Sequence, residues 1–183
     1  VPQADEMFEA PSLGPPYHHR KTGKLLAIGG TFFKRDNPVN LIKYKAEWYV
    51  FGQEKQTTGS FVIWNPRRCD YEPWQRYDLK PAGVGDGVAL PYPSPWHELE
   101  DGSILQPYVQ YGPGKKGSVG TMLLSYDGTI PVVQKTSNFI GESLWEPAIA
   151  NHQGRFLMTI RSEQKDWRMY WSTSRDGLSW SEP

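Results

Sequence analysis

Cysteine is almost absent: Cys69 stands alone in 183 residues, so no intrachain disulfide can form, which neither requires nor excludes secretion. Charge of one sign is absent too. The 20 basic and 20 acidic residues cancel, and without a basic stripe no nucleic-acid partner is expected. The basic pair Lys115-Lys116, flanked by Gly112, Gly114 and Gly117, reads as a solvated loop. No apolar run approaches the roughly 20 residues of a membrane span, so none is expected. No amphipathic stretch of helical length is found. Histidine is sparse: the adjacent His18 and His19 would alternate sides of a strand, and neither His97 nor His152 completes a metal-ligand spacing. No metal and no cofactor are therefore expected. His18 or His19 is instead a candidate acid or base, or a hydrogen-bonding pair in a loop. Gly83-Val84-Gly85-Asp86-Gly87 lacks the strand-to-helix setting of a nucleotide-binding loop. No signal peptide is visible and the first residue is Val1 rather than Met, so the chain reads as a mature or trimmed product, and a secreted or periplasmic location is expected.

What is present points to short strands. Aromatic residues make up 14% of the chain, with 8 tryptophans and 10 tyrosines beside 18 glycines and 16 prolines. That mix suits strands joined by tight turns and disfavours long helices. Strands are predicted at Leu25–Phe33, Glu47–Gln53, Ser60–Trp64, Ile104–Tyr111, Thr121–Ser125, Arg155–Arg161 and Arg168–Ser172. Val1 to Pro16 reads as extended, and Pro91-Tyr92-Pro93-Ser94-Pro95 as a rigid connection. Tryptophan and tyrosine faces also suit sugar stacking, although most of these rings are expected to fill sheet interfaces.

A repeat organises these strands. Ser125-Tyr126-Asp127-Gly128 lies 49 positions before Ser174-Arg175-Asp176-Gly177, and Trp96 lies 49 positions before Trp145. A period of this length with several short strands matches one four-stranded propeller blade. In the later copy, Asp176-Gly177 supplies a tight turn: glycine tolerates positive φ and the aspartate can accept backbone N–H bonds. Trp180 is expected to pack beneath that turn.

These residues resemble the sialidase superfamily. Ser174 to Trp180 is similar to an Asp box, Ser-x-Asp-x-Gly-x-x-Trp, shortened by one residue. Glu146, the glycine turn at Gly154, the strand Arg155 to Arg161 and this loop follow the order common in sialidases. The resemblance implies an all-β fold: a sialidase-like β-propeller of about three to four blades in this chain, forming a single partial domain over residues 1–183. An open propeller would leave sheet edges free to pair, making an oligomer the expectation in that case.

The resemblance also implies roles. Glu146 would polarise a tyrosine nucleophile, and Arg161 would join the arginines that hold a substrate carboxylate with a planar fork. Their fifteen-residue spacing with a turn between puts them on neighbouring strands. The alternative is Glu146 in a polar turn and Arg161 paired with Glu163 or another surface acid. Phe8-Glu9-Ala10-Pro11 is the nearest match to the amino-terminal Phe-Arg-Ile-Pro segment, and Glu9 stands where the first arginine is expected. A carboxylate there would repel an acidic sugar, so the chain departs from a strict sialidase. Lys34-Arg35-Asp36 is similar to the segment supplying a second arginine and the acid, giving Arg35 as substrate-binding and Asp36 as catalytic; a charged loop is the alternative. His97 follows Trp96 as Glu146 follows Trp145, which makes it a substrate-binding candidate, or else a rim histidine; His19 joins the same group.

The expectation is a sialidase-like glycoside hydrolase acting on a terminal acidic or related sugar, with Asp36 as acid and Glu146 activating the nucleophile. A polysaccharide lyase or a non-catalytic glycan-binding propeller are the alternatives, because propellers host many functions. The partner in every case is a glycan or small sugar.

Overall fold

The computed structural model describes residues 7–35, 58–80, 88–112, 115–162 and 168–183. Among them every regular element is a strand, in three consecutive antiparallel sheets. The all-β expectation holds. The strand expected at Glu47–Gln53, the Gly83–Gly87 loop and Asp36 lie outside the described residues.

The first sheet contains β1 (Met7–Leu13), β2 (Tyr17–His19), β3 (Lys24–Arg35), β4 (Thr58–Asn65), β5 (Asp70–Tyr71) and β6 (Gln75–Asp78). Its order is β1-β3-β4-β5, with β2 also on β3 and β6 also on β4. The second sheet contains β7 (Val88–Pro91), β8 (His97–Glu98), β9 (Ile104–Gly112), β10 (Lys115–Tyr126) and β11 (Pro131–Thr136), in the order β11-β10-β9-β7 with β8 also on β9. The third is β12 (Leu144–His152), β13 (Arg155–Ser162) and β14 (Met169–Ser174), in that order. Lys115 and Lys116 belong to β10 rather than to a loop, with Lys115 opposite Gly112.

The second sheet is the middle layer. On one face Ile104, Tyr108, Met122 and Leu124 pack with Leu26, Ile28, Phe61 and Tyr77 of the first sheet. On the other, Leu105, Val109 and Val119 pack with Ile149, Phe156, Met158 and Ile160 of the third. A strand buried on both faces carries no alternation, which is why Ile104 to Val109 reads as a nearly continuous apolar run. The third sheet has one covered face. Along β13, Phe156, Met158 and Ile160 point inward while Leu157 and Thr159 point out, the period of two that a half-buried strand requires. Leu157, Met169 and Trp171 stay exposed on that outer face.

The 49-residue offset survives in the turns but not in the tryptophans. Trp96 immediately precedes β8, whose His97 pairs with Leu105 near the start of β9. Trp145 pairs with Arg161 near the end of β13. The two rings therefore sit at opposite ends of their ladders. The cause is proline. Pro93 and Pro95 lie between β7 and β8, and without N–H groups they cannot continue the ladder. Gln106 and Pro107 of β9 face the resulting gap, where Gln106 donates from Nε2 to Tyr92 O at 2.7 Å. β12 carries one proline, Pro147, and absorbs it in an irregularity between Trp145 and Ala148. The equivalence drawn between His97 and Glu146 is thereby corrected.

Candidate functional site

Glu146 and Arg161 are brought together. They lie on neighbouring strands, as their spacing implies, and Arg161 Nε stands 3.0 Å from Glu146 Oε2. Both side chains remain open to solvent, at 36% for Arg161 and 42% for Glu146. Glu146 sits in the β12 irregularity with φ of 53°, a left-handed conformation uncommon outside glycine. Strained backbone of this kind costs of order 1–3 kcal/mol and persists where the surroundings hold it. Here the extra residues turn the glutamate toward its cross-strand neighbour. Glu163, the alternative partner for Arg161, lies outside the described residues.

Arg35 is the last residue of β3, opposite Met7, and Glu9 pairs with Phe33 two positions earlier. Only the backbone is described at these positions. Asp36 follows directly, outside the described residues. Arg35 and Arg161 thus occupy the far ends of strands that both start at one cluster of turns.

The histidines belong to that cluster instead. His19 is fully buried, with Nδ1 at 2.8 Å from Thr22 Oγ1 and Nε2 at 2.8 Å from Gly102 O. Its ring also meets Tyr126 edge-on at 5.1 Å. Both nitrogens are engaged, so His19 pins the β2–β3 turn to the β8–β9 turn. In that position its ring nitrogens serve the junction between the two turns. Glu98 completes the same junction, accepting from the backbone N–H of Arg20 at 2.8 Å and of Lys21 at 3.0 Å. Burial pushes its carboxyl up, but those donors, the Arg20 guanidinium and His19 outweigh it and hold the group below the ordinary range.

His97 lines a cleft of about 680 Å³ among the turns of all three sheets. Tyr17, Trp96, Asn151 and Arg175 share it. The His97 ring is half-buried and edge-on to Phe156 at 5.2 Å. Burial, then the Arg20 charge, lower its pKa against an opposing pull from Glu98. The cleft lies at the opposite end of β12 from Glu146: Asn151 is five positions further along, roughly 17 Å of extended strand. The candidate residues therefore form two groups rather than one.

The Ser174–Trp180 loop is held by its aspartate. Asp176 Oδ1 accepts from the N–H of Leu178 at 2.8 Å, the N–H of Ser179 at 2.7 Å and the Ser174 hydroxyl at 2.9 Å. Its Oδ2 accepts from the Ser179 hydroxyl at 2.9 Å. Burial opposes ionisation, yet these donors win and hold the carboxyl far below the usual range. Gly177 takes φ of 72°, and a side chain there would meet Leu105. Trp180 is buried, donating from Nε1 to Gly177 O and Thr121 Oγ1, both at 3.0 Å. Thr121 Oγ1 also donates to Gly177 O, tying the loop to the middle sheet.

Sequence reasoning passed over Tyr17, Asn151 and Arg175 as cleft residues. They come from β2, β12 and the loop after β14, which adjoin only when the sheets stack, and no local pattern marks them. Buried Tyr77 and Tyr108 are no substitute for the nucleophile sought from sequence, because burial pushes both phenols well above their ordinary pKa. Burial and Asp127 push Tyr126 to about 12. No protein-family model matches the chain, and no curated protein matches it.

Proposed function

We propose that this chain is part of a sialidase-like β-propeller glycoside hydrolase acting on a terminal acidic sugar, and that Arg161 holds the sugar carboxylate. The observation that carries the reading is the Glu146–Arg161 pair: 3.0 Å apart, on adjacent strands, and accessible to a ligand. A guanidinium fixed by one carboxylate is pre-oriented for a second, so less entropy is lost when substrate binds. In the resting protein Glu146 orients Arg161, and with substrate bound it stands beside the sugar as the candidate activator of a nucleophile. The succession of antiparallel sheets supports the propeller reading, as does the Asp176-centred loop joining two of them. Glu9 in place of an arginine favours a divergent hydrolase over a strict sialidase.

The test is release of aglycone from a fluorogenic terminal acidic glycoside, followed in parallel with ultraviolet absorbance of the sugar product. The hydrolase reading expects fluorescence without a new unsaturated chromophore, and loss of turnover in Glu146→Gln. Arg161→Ala should weaken acidic-sugar binding about tenfold, or 1.4 kcal/mol. A chromophore at the sugar would establish a lyase. Saturable binding with no turnover of any acidic glycoside would leave a glycan-binding propeller. Unchanged affinity in Arg161→Ala would remove the carboxylate role.

A further inference from the structure

The cleft among the turns is remote from Glu146 and Arg161 and has no part in the proposed hydrolysis. Its walls come from the β2 end of the first sheet, the β8 region of the second and the β12–β13 turn of the third. Tyr17 offers a partly exposed ring at the rim and meets Trp96 edge-on at 5.6 Å, which fixes its orientation. His97 lies deeper. With its pKa lowered, its ring is neutral at neutral pH and can present one donor and one acceptor. Asn151 adds an amide, which both donates and accepts. An aromatic platform beside paired donor–acceptor groups is the chemistry that a pyranose ring needs.

Arg175 extends the cleft. It also borders a second hollow of about 330 Å³, which Arg155, Thr173, Ser179 and Ser181 line as well. Among the described residues, neither Arg155 nor Arg175 is held in an ion pair, whereas Arg20 in the main cleft is already matched to Glu98 at 3.2 Å. The nearby Asp176 carboxylate is spent on four donors of its own loop. This hollow therefore keeps two guanidinium groups outside any ion pair among the described residues, next to a cleft that Glu98 and Glu100 also line. Planar guanidinium forks suit oxyanions.

We propose that the cleft and the adjoining hollow form one non-catalytic binding site for a glycan chain bearing an anionic substituent. One sugar ring packs on Tyr17 beside His97 and Asn151, and a carboxylate or sulfate group lies between Arg155 and Arg175. The site is separate from Glu146 and Arg161 and stands or falls without them.

Calorimetric titration tests it, using hexasaccharides of three kinds (uronic acid, sulfated and neutral) and polyglutamate of matched charge. Each is titrated into the wild-type protein and into Tyr17→Ala and Arg175→Gln. Tyr17 and Arg175 are exposed, and circular dichroism of each variant checks that the fold is kept. Saturable binding of an anionic hexasaccharide is expected. Its Kd should rise tenfold or more in Tyr17→Ala and in Arg175→Gln. A preference for the uronate or the sulfated chain identifies the substituent. Three results would overturn the proposal: affinity unchanged in both cleft variants, equal binding of the neutral hexasaccharide, or equal binding of polyglutamate.

Discussion

Asp176 shows how much one short side chain organises. Four donors converge on its two oxygens, so the loop is built around a charge rather than an apolar contact. Replacing it with alanine leaves two backbone N–H groups without their acceptor. The expected loss is about 1 kcal/mol after allowance for solvent at this exposed turn, measured as a shift in denaturant midpoint at unchanged m. The pH dependence has a definite sign. A carboxyl whose pKa is depressed on folding contributes stability that is complete above its unfolded pKa, about 3.9, and is lost as pH falls toward the folded value. Glu98 and Asp127 are also held below the ordinary range and act in the same direction. Stability should therefore fall as acid is added below about pH 4, and Asp176→Asn should make that decline shallower. Equal slopes in the two proteins would mean that the Asp176 charge is not held by its loop. Tyr77 makes the opposite case. Its hydroxyl is buried without a hydrogen-bond partner among the described residues, so Tyr77→Phe removes a desolvation cost while keeping the ring. The variant should be neutral or stabilised by up to about 1 kcal/mol in thermal melts.

At the scale of elements, what could be read from sequence depended on how local its cause was. The Asp176-Gly177 turn and the packing of Trp180 follow from neighbouring residues, and both appear as expected. The adjacency of Glu146 and Arg161 followed from one hairpin with its turn at Gly154. The pairing of Trp96 with Trp145 failed because counting residues assumes ladders of equal length, and the prolines between β7 and β8 break that assumption. The cleft was beyond reach, since Tyr17, His97, Asn151 and Arg175 meet only through sheet stacking. Gly177 tests the local part directly. Alanine there would be strained at φ of 72° and its methyl would press on Leu105, a core residue of the middle sheet. A destabilisation of about 1–3 kcal/mol is expected for Gly177→Ala. Exchange of the Trp180 indole proton, followed by NMR, should quicken in the same variant, because Gly177 O and Thr121 Oγ1 both accept from it. A variant that melts like the parent would show that the loop tolerates another conformation.

For the molecule as a whole, the middle sheet decides how the described sheets come apart. Its two faces supply both hydrophobic clusters, so neither outer sheet can detach without exposing residues of β9 and β10. Leu124 is fully buried on the side of the first sheet, and Ile160 is fully buried on the side of the third. Truncating either to alanine removes a buried side chain and leaves a cavity, at a cost of about 2–5 kcal/mol. If the layers unfold together, each variant lowers one shared midpoint. Near-ultraviolet signals from the tryptophans and far-ultraviolet signals from the strands then move in step. Independent layers would behave differently. Leu124→Ala would melt the first interface early while the environment of Trp180, on the far side of the middle sheet, stayed intact. Thermal melts at the mass shown by light scattering distinguish these outcomes. The shared sheet predicts coincident transitions in both variants, and separate midpoints would mean that the two interfaces are energetically uncoupled.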